Sequence, residues 1–155
     1  MGTGHQRLDV NGVDREAYHA VLGMERYLAM SGLDPKLHEL IKIRASQING
    51  CAFCLDMHNR DARKAGEDQR RLDVLSAWRE APDLFTDPER AAIALTEAVT
   101  RIADEGVPDS VWSDVTAHFD EGGIVHLLMA IATINVWNRL AIATHQHLPD
   151  LPAPS

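Results

Sequence analysis

The stretch from residue 124 to residue 142 constrains the fold more than any other part of the chain. Ile124, Val125, Leu127, Leu128, Met129, Ile131, Ile134, Val136, Trp137, Leu140 and Ile142 cover nearly the whole circumference of a helix. A helix apolar all round has to be buried all round. In a chain of 155 residues, part of that cover is expected from a second copy. The uninterrupted run is shorter: residues 124–134 already include His126 and Thr133, and Asn135 ends it. That falls short of the ~20 apolar residues that cross a bilayer, so a core helix is expected and no membrane partner.

The remaining pattern is also helical. Residues 14–30 and 35–48 place apolar side chains at i, i+3 and i+4, with Asp34 as cap and Pro35 in a first turn. Asn49-Gly50 breaks the chain, and a third helix over 51–65 ends at Gly66. A short helix is expected over 68–78. Thr86-Asp87-Pro88-Glu89 reads as a capping box opening a helix through 103. Another follows over 108–119, and Gly122-Gly123 precede the last, over 124–145. No segment reads as a strand, so the class is all-α in one domain. The expected division is an N-terminal segment 1–14, a helical domain 15–145 and a tail 146–155, whose prolines keep it from being helical.

Charge excludes one class of partner. The formal net charge is −8, and the arginines and lysine of 60–71 are interrupted by Asp61, Glu67 and Asp68. Phosphate backbones need clustered cations, so no nucleic acid is expected. Residues 1–15 are polar and show no secretory leader, so a cytoplasmic location is expected.

Only two cysteines occur, Cys51 and Cys54. A disulfide across three residues closes too small a loop to stabilise a fold, so the pair reads as redox-active. Both fall at the start of a helix, and His58 stands on the same face one to two turns on. A thiolate attacks peroxide oxygen, a helix N-terminus favours the thiolate, and a nearby imidazole can take the proton. A second thiol condenses with the sulfenic acid that results, and a dithiol reopens the disulfide. Glu39, beside the buried stripe of the preceding helix, is a candidate carboxylate behind His58.

The stretch from Glu39 through Cys51-Ala52-Phe53-Cys54 to His58 resembles the carboxymuconolactone decarboxylase/alkyl hydroperoxidase D (AhpD) superfamily: Glu, eleven residues, C-x-x-C, three residues, His. Leu75-Ser-Ala-Trp-Arg-Glu80, Phe85-Thr-Asp-Pro-Glu-Arg90 and Ile134-Asn-Val-Trp-Asn-Arg-Leu140 are similar to AhpD-like members too. The resemblance implies an AhpD-like helical fold in a homo-oligomer, commonly a trimer or hexamer. It implies a thiol peroxidase or disulfide reductase drawing on a lipoyl or thioredoxin-like dithiol. By motif position Cys54 is then the peroxidatic cysteine, Cys51 the resolving one, and His58 with Glu39 the proton relay. Reasoning from the helix N-terminus alone favours Cys51 as nucleophile. Phe53 stands where well-studied AhpD proteins carry His, which makes the approach more apolar and points to an organic peroxide.

Other readings compete. A lyase acting on a small lactone or acid needs Glu39 and His58 without sulfur. A redox sensor needs the disulfide without turnover. Structural zinc wants four ligands, and Cys51, Cys54 and His58 supply three, with His38 or Glu39 a conceivable fourth, so no metal and no cofactor are expected. Gln47 and Asn49 are read as satisfying backbone groups at the helix–turn junction, Asp56 as exposed, and Trp137 as core. His145 and His147 are read as a solvated helix end. Asn135 and Asn138 need partners on a buried helix and are read as structural, bonding across a subunit interface.

Overall fold

A computed structural model describes residues 5–150. Within them the chain forms α1 (Val10–Val13), α2 (Arg15–Met30), α3 (Pro35–Asn49), α4 (Ala52–Lys64) and α5 (Gln69–Val74). Two 3₁₀ turns follow, Leu75–Glu80 and Pro82–Leu84, then α6 (Asp87–Thr100), α7 (Ile102–Glu105), α8 (Asp109–His118) and α9 (Glu121–Thr144). No strand occurs among the described residues. Part of the tail, residues 151–155, lies outside them.

Local chemistry sets most boundaries. Asp14 and Asp34 accept from the backbone N–H groups of Ala17 and Leu37 and cap α2 and α3. Thr86 and Glu89 form the reciprocal capping box of α6. Three expectations are corrected, and one segment left undescribed by the sequence is filled in. Gly122 and Gly123 lie inside the first turn of α9, because Asp120 caps it by accepting from the Gly123 N–H. The helix expected over 68–78 tightens to 3₁₀ at Leu75, with Ala77 outside helical geometry. The helix expected through 103 breaks at Arg101 (φ −98°, ψ 38°) and resumes as α7. The N-terminal segment carries a turn of its own, α1, capped by Asp9.

The helix buried all round is α3. Every residue from Leu40 through Ser46 is buried, Lys42 and Arg44 included. Seven residues make about two turns, so no face of that stretch meets water. Ile41 joins the core with Leu28, Leu95, Val115, Leu127 and Ile131. Leu40 and Ile43 join a second cluster with Leu75, Trp78 and Ile93. Ala45 joins a third with Cys51, Cys54, Ile134 and Ala141. Periodicity missed this because charged residues count as polar; their burial is possible because each is paired. Arg44 Nε donates to Glu97 Oε1 at 2.9 Å, and Glu97 also accepts from Trp78 Nε1 and Arg79 Nη1.

The longest helix, α9, differs from the expectation in the opposite sense. Its inner stripe is Ile124, Leu127, Ala130, Ile131, Ile134, Asn138 and Ala141, while Val125 is 50% and Ile142 40% exposed. With 24 residues and a mean hydropathy of 1.4 it is long and apolar enough to cross a membrane, which the short uninterrupted run did not suggest. Its inner stripe is nevertheless committed to the protein core, against α3, α2 and α6.

Candidate active site

Where α3 ends, Gly50 adopts a left-handed conformation (φ 71°) and its N–H donates to the Ser46 carbonyl, as does that of Cys51. This tight reversal sets Cys51 at the N-cap of α4 and Cys54 in its first turn. Both are buried, 1% and 2% exposed, and come within 2.8 Å of each other. They are free thiols packed against Ala45 of α3 and against Ile134 and Ala141 of α9.

The pair cannot ionise twice at such a separation. The Cys54 thiol donates to the Cys51 sulfur, which lowers Cys51 to about 7 against the opposing cost of burial. Backbone N–H groups of Cys54 and Phe53 and the Asn138 side chain favour the Cys51 thiolate further. Cys54 is pushed well above the ordinary thiol range by that same donation, by burial and by the neighbouring charge. Once the pair has lost one proton, the other is held between the two sulfurs.

His58, one turn beyond Cys54 on α4, is buried, and its Nδ1 lies 3.1 Å from Glu39 Oε2. Glu39 Oε1 accepts from Lys42 Nζ at 3.2 Å. Burial works against the Glu39 carboxylate, but the His58 and Lys42 contacts outweigh it and hold its pKa below the ordinary value. With Nδ1 committed, Nε2 is the nitrogen left to exchange protons with a bound molecule. His38, next on α3, is lowered to about 4 by burial and by Lys42, so it is neutral.

A pocket of about 270 Å³ opens beside these groups. Cys54 and His58 line it together; Cys51 does not. Phe53, Met57 and Leu22 give it an apolar wall, and Tyr18 and Trp137, rings 5.1 Å apart, flank it. Trp137 is therefore only half-buried, anchored by its Nε1 donating to Glu25. Asp61, also lining the pocket, lies with Glu39 and His58 so that one ligand atom of each falls within 4.8 Å of the others. The Lys42 ammonium, 3.2 Å from Glu39 Oε1, opposes a cation at that carboxylate.

Of the four residues singled out from sequence, Cys54 and His58 line the pocket, while Cys51 and Glu39 stand behind them as their respective neighbours. Sequence reasoning passed over Tyr18, Glu25 and Ser46, whose partners are set by packing between helices, and Lys42, which its i, i+3 spacing to Glu39 on the same helix could have marked. Asn135 and Asn138 are also relocated. Both accept from Asn49 Nδ2 at 2.9 Å, Asn135 donates to Thr100, and Asn138 donates to Ser46, so their bonds are made within the chain. Gln47 accepts from Arg44, and Asp56 is half-exposed and paired with Arg60. His145 is the left-handed cap of α9.

Comparison with known proteins gives this arrangement its family. The model of the carboxymuconolactone decarboxylase family matches residues 15–98. The uncharacterized protein YdfG of Bacillus subtilis (strain 168) is 44% identical over 138 residues, covering 89% of this chain and 93% of that one. A solved structure from Agrobacterium tumefaciens, a protein of unknown function suggested to be the antioxidant defence protein AhpD, superposes with a TM-score of 0.91. It is 40% identical and covers 95% of this chain and 100% of its own. An uncharacterized peroxidase-related protein from Silicibacter sp. TM1040 superposes at 0.75 with 25% identity, over 86% of this chain and 71% of that one. With a family model spanning over half its length and near-complete agreement with an AhpD-like fold, the chain belongs to the carboxymuconolactone decarboxylase family.

Proposed function

We propose that the protein is a cysteine peroxidase that reduces an organic hydroperoxide at the Cys51–Cys54 pair and is recycled by a dithiol of the lipoyl or thioredoxin type. The observation that carries this is the shared cavity wall: the sulfur that meets the pocket is Cys54, and the imidazole beside it is oriented by Glu39. A neighbour suggested to be an antioxidant defence protein and another that is peroxidase-related support the same reading.

The chemistry balances. The pair begins with one proton and one negative charge, and His58 holds the proton the pair released. As Cys54 attacks the terminal peroxide oxygen, its own proton passes to Cys51. The S–O bond forms, the O–O bond breaks, and the departing alkoxide takes the proton from His58 to leave as an alcohol. Cys51 then attacks the sulfenic sulfur of Cys54. The S–S bond forms, and hydroxide leaves with the Cys51 proton as water. Two electrons have moved from the pair to the peroxide, and exchange with the dithiol restores them. Cys54 as peroxidatic and Cys51 as resolving residue is thus compatible with the thiolate resting on Cys51, because the proton moves between them. A cytosolic dithiol pool suits this cycle, and a homo-oligomer, trimer or hexamer, suits the exposed flank of α9.

The test is hydroperoxide consumption by the purified protein with a small dithiol as donor. Cys54→Ser should bring it to background. Undiminished consumption in that variant would sink the proposal. A second reading has one observation behind it: the Glu39–His58 pair is complete without sulfur and opens on the same pocket, as a lyase would need. Unchanged turnover of a lactone substrate in a Cys51→Ala/Cys54→Ala double variant would select it.

A further inference from the structure

Asn138 is fully buried on α9, a helix whose inner face is otherwise apolar. Ile134, one turn before it, and Ala141, one turn after it, both pack in the cluster that holds Cys51 and Cys54. An amide at such a place costs stability unless its donors and acceptor are used. Here they are, in a way that fixes its orientation. Ser46 Oγ gives its only hydrogen to the Lys42 carbonyl at 2.7 Å, so toward Asn138 it can only accept. Asn138 Nδ2 donates to it at 3.0 Å. On the other side Asn138 Oδ1 accepts from Asn49 Nδ2 at 2.9 Å. Turning the amide over would set two donors against each other at Asn49 and leave Ser46 without one. Oδ1 and one Nδ2 hydrogen are thus used, and the second Nδ2 hydrogen remains for the sulfurs, which pack with the residues one turn to either side of Asn138.

We infer that Asn138 is a thiolate-stabilising residue of the cysteine pair, its amide locked by Ser46 and Asn49 so that an N–H faces the sulfurs. This rests on the thiol reading of the site and adds to it a residue from a helix 84 positions beyond Cys54 in the sequence. Hydrogen bonding of the Asn138 side chain to both sulfurs, which favours the ionised form of each, agrees with the placement. A neutral donor suits a pair that shares one negative charge. It stabilises the thiolate on either sulfur and so does not oppose the transfer of the proton between them. The charged groups around the pair are Glu39 and Lys42 on α3, His58 and Asp61 on α4 and Glu25 on α2, with Arg139 of α9 turned to Asn135. All of them persist in the variants below.

The experiment is a pH titration of the reduced, full-length protein by ultraviolet thiolate absorbance, without peroxide or reductant. Its outcome is thus separate from whether the pair turns over. Asn138→Asp keeps the size and the acceptor for Asn49 but exchanges the donor for a charge. It should raise the thiolate midpoint by about one pH unit or more, a tenfold loss of thiolate below the midpoint. Asn138→Leu, which deletes donor and acceptor without adding a charge, should raise it by less. Asn138→Ala deletes the donor with the smallest side chain and should move the midpoint the same way. It decides the matter if the two larger variants fail to fold. A midpoint within about 0.3 unit of the parent in folded Asn138→Leu, or in Asn138→Ala when the Leu variant does not fold, overturns the inference, because neither adds a charge.

Discussion

Cys51 and Cys54 sit close enough that ionising one raises the cost of ionising the other. Reactivity therefore follows a single titration. Cys51 falls to about 7 from the ordinary thiol value of 9.0. Only the thiolate is nucleophilic, so alkylation by iodoacetamide should speed up as pH rises through about 7 and slow as pH falls below it. A rate that keeps climbing to an inflection near 9.0 would contradict the shared-proton description. Helical spacing made these two residues and His58 candidates in the sequence, and the resemblance of the motif, not spacing, made Glu39 one. Neither could reveal Ser46 or Asn138. Their hydrogen bond joins positions 92 apart, and nothing local distinguishes an amide that serves a sulfur from one that serves a backbone carbonyl.

At the level of helices, capping residues were readable and burial was not. Asp34-Pro35 and Thr86 through Glu89 act over three residues and announce themselves. The full burial of α3 depends on Glu97, 53 positions from Arg44, which draws α3, α6 and the turn containing Trp78 together. Glu97→Gln should cost about 3 kcal/mol, since it leaves the nearly buried Arg44 guanidinium without a counter-charge. Arg79 adds little, being 59% exposed on its side chain. Burial alone would raise the Glu97 pKa, but Trp78, Arg79 and Arg44 more than reverse this and hold it below the ordinary 4.5. A lowered pKa gives stability that is complete above 4.5 and disappears as pH falls through the folded-state value. Urea unfolding of parent and variant should therefore differ at pH 7 and converge in acid. Equal gaps at both pH values would contradict the ion-pair account. The break at Arg101 and the tightening at Leu75 escaped sequence reading because apolar spacing continues across both, and only backbone torsions record them.

For the molecule as a whole, all-α architecture followed from periodicity, while the assignment of which helix lies innermost did not. The continuous apolarity of α9 is only partly spent inside the chain: Val125 and Ile142 remain open, with Met30 87% and Tyr27 43% exposed on α2. Such side chains are expected to be covered by further copies. Light scattering at micromolar concentration should give a trimer or hexamer, and Val125→Glu with Ile142→Glu should shift the mass downward. A parent protein that scatters as a single chain would refute this.

Gly50 carries a consequence for how substitutions in this protein should be judged. A methyl group added there would meet no atom within 4 Å, so volume places no limit on the position. The limit is handedness, because φ is 71° and side chains of ordinary residues resist that conformation. The penalty of a replacement would be paid by the hinge itself, which would relax toward negative φ and swing Cys51 out of register with Cys54. A change that looks harmless by its surroundings would thus act as a fault in the geometry of the cysteine pair.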